Sequence, residues 1–159
     1  MANPQTVNLR PRRRAGFTLI EALVVVILIG ILATMALPNV TRSMKRIRSD
    51  RALTVIKGDM ENAFSLAARQ GRPILIAFDT DVRSYEVKDR ATNAVIFTRH
   101  FGSASPYGTK GMWVSNATVT VFPSGFASTP YWIRFDWGDN DYRWILVRRT
   151  GQMREWGWL

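Results

Sequence analysis

Apolar residues follow three successive patterns along this chain. Residues 17–37 form an almost unbroken apolar run with one charged residue, Glu21. Its length suits a helix that crosses a bilayer, which needs about 20 residues. Apolar positions then recur at steps of three and four as far as Gln70, as in an amphipathic helix. From Pro73 the period changes to two, which predicts short β-strands.

The first two patterns predict one long helix over residues 17–70. Pro38 should kink or locally open it, because proline lacks an N–H donor and clashes with the preceding turn. Gly71 is the predicted C-cap, and Pro73 prevents continuation. The apolar stripe of the second half consists of Val40, Met44, Ile47, Leu53, Ile56, Met60, Ala63, Phe64 and Ala67.

The third pattern predicts six or seven short antiparallel strands packed on this helix, an α+β fold with a small antiparallel β-sheet head domain. Residues 103–111, rich in Gly, Ser and Pro, should form an exposed loop. The predicted strands cover residues 73–79, 82–88, 94–101, 117–122, 131–137, 142–149 and 152–156.

Composition removes several classes of function. The chain has 22 basic and 12 acidic residues, no cysteine and one histidine, His100. Disulfides, a lipoprotein anchor, thiolate chemistry and a multi-histidine metal site are therefore excluded. His100 is expected at a strand end on the surface. No serine has nucleophile-elbow spacing and no glycine-rich loop suits phosphate, so we predict no enzyme and no cofactor.

The apolar run has three interpretations. It could be a secretory signal cleaved after Ala36, although that leaves Glu21 unexplained. It could be a plain membrane anchor, but basic residues lie on both sides and leave its orientation open. The third interpretation depends on the residues around Glu21. The flanking basic residues are Arg10, Arg12, Arg13 and Arg14 before the run, and Arg42, Lys45, Arg46, Arg48 and Arg51 after it.

The stretch GFTLIE, residues 16–21, resembles the processing site of type IV pilins and type II secretion pseudopilins. The resemblance implies cleavage between Gly16 and Phe17 by a membrane prepilin peptidase, with N-methylation of Phe17. Residues 1–16 would be a cleaved leader, and Pro38 matches the end of the apolar segment. Other pilin subunits, the inner-membrane assembly platform and inner-membrane lipid would be the partners.

The resemblance gives Glu21 a physical role. After cleavage, the amine of Phe17 could form a charge-assisted pair with Glu21 of a neighbouring subunit in low dielectric. A carboxylate inside an apolar segment is costly and functional by default. The alternative is that Glu21 only complements the dipole at the helix N-terminus.

A second resemblance lies near the C-terminus. The segments VTVFPSGFAS, YWIRFDW and YRWILVRRTGQMREW resemble the C-terminal block of the GspH/FimT group of minor pseudopilins. This implies a minor subunit at the tip of a type II secretion pseudopilus or type IV pilus, supporting protein secretion. It would be single-pass in the bacterial inner membrane, with a cytoplasmic N-terminus, and later part of a periplasmic or surface filament. The segments would be 17–37 for anchor and filament core, 38–71 for the amphipathic helix, and 72–159 for the periplasmic head.

DNA binding is the alternative function. Arg148, Arg149 and Arg154 lie among aromatic residues, which suits phosphate contact and base stacking. Some FimT-type minor pilins of natural transformation bind DNA through Gly-Arg-x-Arg, whereas residues 151–154 here are Gly-Gln-Met-Arg. A solvated strand face is the other interpretation. A basic cluster follows the apolar run and consists of Arg42, Lys45, Arg46 and Arg48. It suits contact with lipid headgroups, and the alternatives are contact with other subunits or with nucleic acid.

Two further groups have competing interpretations. Asp136, Asp139 and Asp141 could hold calcium, as head-domain loops of some pseudopilins do, but they lack the glycine and bidentate glutamate of a calcium loop. We favour turn chemistry and no metal. Trp132 and Trp144 should lie on an outward strand face, either to stack on a ligand or to pack at an interface.

Overall fold

The structure, a computed structural model, describes residues 17–158, and only the backbone of residues 35–39, 41, 42 and 158. The chain divides into two compact units, one ending at Thr41 and one beginning at Arg42. Helix α1 covers Leu19–Gln70, so the predicted helix is confirmed except for its first two residues. Across the described residues, no helix has both the length and the apolarity required for a membrane crossing.

Both ends of α1 are set by local sequence. The Glu21 N–H donates to Thr18 Oγ1 at 3.3 Å, so Thr18 acts as the N-cap. At the other end Gly71 has a φ of 64°, the left-handed conformation that closes helices and favours glycine. The helix continues through Pro38, so the predicted local opening is not observed, whereas the alternative, a kink, stays a prediction.

Within residues 17–158, eight antiparallel strands form two four-stranded sheets, so the α+β class is confirmed with more strands and one more sheet than predicted. The first sheet has the order β3-β2-β1-β5 and the second β4-β6-β7-β8. The strands are β1 Ile74–Asp79, β2 Ser84–Asp89, β3 Val95–His100, β4 Gly111–Val114, β5 Thr118–Val121, β6 Tyr131–Gly138, β7 Asp141–Val147 and β8 Met153–Trp158.

Strand β4 is the element that the sequence did not predict. It has four residues and begins at Gly111, the last residue of the loop expected over residues 103–111, so too few positions alternate to reveal a period of two. Its pairing with β6, from Gly111 opposite Asp136 to Val114 opposite Ile133, completes the second sheet.

One core lies between α1 and the two sheets. Along β6, buried and half-buried residues alternate, which confirms the predicted faces of residues 131–137. The buried apolar residues of the helix begin at Ala52. Val40, Met44 and Ile47, which the pattern assigned to the same stripe, are exposed. The buried core includes Ala52, Ile56, Met60, Ala63, Ile74, Ile76, Tyr85, Val87, Tyr131, Ile133, Phe135 and Ile145.

A polar contact joins α1 to the first sheet inside this core. The Tyr85 O–H donates to Asp59 Oδ2 at 2.5 Å. Arg99 donates to both oxygens of Asp59, from Nε at 2.7 Å and from Nη2 at 2.9 Å. Burial, and then the nearby Asp59, raise the pKa of Tyr85. One carboxylate of the helix thus holds both β2 and β3 to α1.

The turn between β2 and β3 should stabilise the fold in a pH-dependent way. Asp89 Oδ1 accepts hydrogen bonds from the N–H groups of Ala91 and Thr92, at 2.8 and 3.0 Å. The bond from Thr92 is the main reason why the pKa of Asp89 is lowered. A carboxylate whose pKa is lower in the folded state stabilises the fold at pH values above its unfolded pKa, about 4. This contribution disappears as the pH falls through the folded pKa.

We therefore expect Asp89→Ala to lower the Tm at pH 7 and to differ much less from the wild type at pH 2. Thermal unfolding of the full chain in detergent at both pH values measures this. Asp81→Ala, in the exposed turn after β1, serves as the control and should change the Tm little at pH 7. A Tm loss for Asp89→Ala that is the same at pH 2 and pH 7 would contradict the charge-dependent part.

Candidate functional site

The start of α1 exposes apolar side chains around its whole circumference. Phe17, Leu19 and Ile20 are each more than 70% exposed. A helix that is apolar on all sides is normally buried in a membrane or in a protein interior. This surface therefore needs an environment that the single chain does not provide. Its further exposed members are Leu23, Val24, Val25, Val26, Ile27, Leu28, Ile29, Ile31 and Leu32.

Glu21 lies in the first turn of this helix and is exposed. Together with the N-cap Thr18 it completes the Thr-x-x-Glu pattern of a capping box. Sequence reasoning missed the role of Thr18, although the spacing itself was the available signal. The hydrogen bond that the structure shows uses the backbone N–H of Glu21, so the role of its carboxylate between subunits stays a prediction.

The other predicted processing and assembly residues are only partly visible. Phe17 is exposed. Gly16, and with it the predicted leader over residues 1–16, lies outside the described residues. Pro38 is described by its helical backbone alone.

The basic cluster after the apolar run is partly used inside the head. Lys45 forms an ion pair with Asp139, and this contact lowers the pKa of Asp139. Arg46 and Arg48 are exposed. In the cluster of Arg42, Lys45, Arg46 and Arg48, these two side chains are thus seen to be exposed, and the side chain of Arg42 is not described.

The arginines near the C-terminus make separate contacts. Arg148 Nη1 donates to Gln152 Oε1 at 3.5 Å, and Arg149 Nε donates to the Ala127 carbonyl at 3.3 Å. Arg143 lies on the helix side of its sheet, where Nη2 is 3.5 Å from Asp50 Oδ1. Arg154 pairs with Leu146 in the strand register, which places it on the opposite face.

The three aspartates considered for calcium make separate contacts. Asp136 Oδ1 accepts from the Gly138 N–H at 2.6 Å, as expected for turn chemistry, and Asp139 pairs with Lys45. Burial raises the pKa of Asp141. Over residues 17–158, no three His, Cys, Asp or Glu side chains are grouped so that they could hold a metal ion.

The remaining predicted residues lie on the surface. His100 ends β3 and is exposed. Trp132 and Trp144 are half-buried, with ring centroids 4.8 Å apart. Their outward position confirms the predicted alternation of β6 and β7.

Comparison with known proteins identifies a family motif at the N-terminus. Residues 11–37 match the family described as "Prokaryotic N-terminal methylation motif". The type II secretion system core protein G of Aeromonas hydrophila is 34% identical over 58 residues, which cover 36% of this chain and 40% of that protein. The core protein G of Vibrio cholerae serotype O1 is 38% identical over 55 residues, which cover 35% of this chain and 37% of that protein. The chain thus spans less than half the length of the curated relatives it matches.

About two thirds of the chain is similar in structure to solved minor subunits. The type IV minor pilin FimU of Pseudomonas aeruginosa matches with a TM-score of 0.56 at 16% identity, covering 69% of this chain and 88% of FimU. The minor pseudopilin EpsH from the type 2 secretion system of Vibrio cholerae matches with a TM-score of 0.53 at 11% identity, covering 69% of this chain and 97% of EpsH. The chain therefore carries the prokaryotic N-terminal methylation motif and has the fold of type IV pilin-like minor subunits, as both resemblances in its sequence implied.

Proposed function

We propose that this protein is a minor pilin or pseudopilin, which assembles into a type II secretion pseudopilus or a type IV pilus and supports protein secretion. The observation that carries the proposal is the methylation motif over residues 11–37, joined to a helix whose first turns are apolar on every side. The similarity of the fold to two minor subunits supports the role of a minor subunit, and the resemblance of the C-terminal block to the GspH/FimT group is our reason for placing it in the initiating tip complex.

The function depends on one chemical event and one change of environment. Cleavage after Gly16 creates the positive amine of Phe17, and methylation leaves this amine able to donate a hydrogen bond. Before assembly, residues 17–37 hold the subunit in the inner membrane with its head in the periplasm. The same residues then pack against neighbouring subunits, where the Phe17 amine pairs with Glu21 of the next subunit.

The other partners follow from this cycle. A prepilin peptidase makes the cut, and the inner-membrane platform moves the subunit into the filament. Arg46 and Arg48, exposed just beyond the apolar segment, suit contact with anionic lipid headgroups before extraction. DNA uptake receives less support, because the relatives are named for secretion and pilus systems.

The test is the N-terminus of the mature protein. We expect mass spectrometry of the full-length gene product, purified from the membranes of its bacterial host, to find a chain that begins at Phe17 and carries one methyl group on its amine. Alkaline carbonate extraction should leave this protein in the membrane pellet. A mature chain beginning at Leu37 would instead show an ordinary secretory signal, and an uncleaved Met1 would also contradict the proposal.

A further inference from the structure

The second sheet has one face on the core and one face open to solvent. The strand register places Trp113 opposite Arg134, Arg134 opposite Trp144, and Trp144 opposite Trp156. Cross-strand partners project to the same side, and β6 buries the residues on either side of Arg134. One row on the outer face therefore carries three tryptophans and one arginine across all four strands. We call this surface, with Tyr142 and Arg154 beside the row, the aromatic face.

Arg134 is held at the centre of the aromatic face by stacking. Its guanidinium carbon lies 4.6 Å from the ring centroid of Trp113, 5.0 Å from that of Tyr142 and 5.6 Å from that of Trp144. The Trp113 ring lies over Gly111, where a Cβ would come within 2.3 Å of it. Cations within about 6 Å of a ring centroid are attracted to its face, so the guanidinium is fixed before any partner arrives.

The hydrogen-bonding capacity of Arg134 is little used. Within residues 17–158 its buried Nε has no hydrogen-bond partner, and Nη2 approaches Asp136 Oδ2 only to 3.9 Å. A guanidinium has five donors in a planar fork that matches a carboxylate. A third of the side chain remains exposed. Arg134 is therefore preorganised to receive an external carboxylate.

The composition and shape of the aromatic face indicate the kind of partner. Trp113 and Trp156 are 44% and 51% exposed, and tryptophan, tyrosine and arginine are the residues that dominate protein interfaces. Small-molecule sites are concave, whereas this surface is one side of a sheet. Arg134 and Arg154 outnumber Asp136 on it, so charge complementarity favours an acidic partner.

We infer that the aromatic face docks an acidic protein surface of a neighbouring filament subunit. A carboxylate of that subunit binds Arg134, and apolar side chains beside the carboxylate cover the tryptophan rings. The inference rests on the proposed function, since the neighbour is a subunit of the same filament. It adds a contact between heads to the contact between the apolar helices.

Photocrosslinking in the bacterial host tests this contact in the full-length protein. With p-benzoylphenylalanine in place of Trp156, we expect a crosslink to another filament subunit, mapped by mass spectrometry to a peptide containing Asp or Glu. Arg134→Gln should lower the yield about tenfold or more, the loss typical of a central interface arginine. Gly111→Ala should also lower it by displacing the Trp113 ring while leaving Arg134 intact. The same probe at Ile96, exposed on the other sheet, should give no product that depends on Arg134.

A charge exchange makes the test decisive. Arg134→Glu should abolish the crosslink, and changing the mapped partner carboxylate to arginine should restore it. A probe at Val25, in the apolar helix, reports filament incorporation separately. No protein crosslink at Trp156, an adduct with nucleic acid or glycan, or a yield unaffected by Arg134→Gln would overturn the inference while a normal Val25 crosslink keeps the proposed function. Loss of both crosslinks in the otherwise unchanged chain would overturn both.

Discussion

Replacing Glu21 with alanine is expected to leave the subunit in the membrane fraction and to lower its recovery in sheared filaments about tenfold or more. A hydrogen bond to a charged group contributes about 1.5–3 kcal/mol, and each 1.4 kcal/mol is a factor of ten in the equilibrium. Immunoblots of membrane and sheared-filament fractions, normalised to the total subunit, measure the effect. Insertion should be unchanged because the apolar residues around Glu21 remain.

Glu21→Gln separates capping of the helix from the proposed pairing between subunits. Thr18 caps the helix through the Glu21 N–H, and a glutamine at this position also completes a capping box. The helix start is therefore kept, whereas the negative charge is lost. If the carboxylate pairs with the Phe17 amine of a neighbour, Glu21→Gln should be recovered as poorly as Glu21→Ala.

The control variant at this end is Thr18→Ala, which removes the cap but keeps the carboxylate. It should cost the helix start about 1 kcal/mol and reduce incorporation less than Glu21→Gln does. Normal recovery of Glu21→Gln together with poor recovery of Thr18→Ala would show that capping is the important role. The pairing between subunits would then be wrong.

The parts of the fold that the sequence predicted are those with long repeating patterns. Fifty-two residues of α1 carry apolar and then amphipathic spacing, and β6 alternates over eight residues. Strand β4 has only four residues, and its place in the sheet is fixed by pairing with β6. A local pattern cannot contain that information. The division into two sheets was missed for the same reason, because it depends on which strands pair.

The candidate sites divide in the same way. The GFTLIE stretch is contiguous, so the motif over residues 11–37 could be recognised without coordinates, whereas the processing residues within it stay a prediction. The aromatic face brings Trp113 of β4 next to Arg134 of β6 and Trp144 of β7, and only the register shows this. The contact between Lys45 and Asp139 joins residues that are 94 positions apart. Charge patterns within one helix gave no sign of it.

Replacing Asp59 with alanine should destabilise the head more than any other single change discussed for it. The variant leaves the fully buried Tyr85 hydroxyl and the partly buried Arg99 guanidinium without their shared acceptor. Allowing for the partial exposure of Arg99, we expect a loss of about 2–3 kcal/mol, or a Tm lower by roughly 10 °C for a domain of this size. Urea and thermal unfolding of the full chain in detergent, followed by circular dichroism, measure both.

Matched variants on the same helix and sheet give the controls. Glu61→Ala changes an exposed carboxylate two positions along α1 and should stay within about 0.5 kcal/mol of the wild type. Asp59→Asn keeps an acceptor of the same shape and should lose less than Asp59→Ala. If Asp59→Ala were as stable as Glu61→Ala, the contact would not be holding β2 and β3 to the helix.

Alkaline pH tests the same contact without removing Asp59. Burial raises the pKa of Tyr85 above its ordinary value, so the folded state favours the protonated phenol. This contribution is fully present below the unfolded pKa, about 10, and is lost as the pH rises from there toward the folded value. The wild type should therefore lose stability between about pH 9 and pH 11, an interval of about one pH unit on either side of the unfolded pKa. Tyr85→Phe, although less stable at pH 7 because Asp59 loses a donor, should lose less over the same interval. An equal alkaline loss in both proteins would mean that Tyr85 is not the group that titrates.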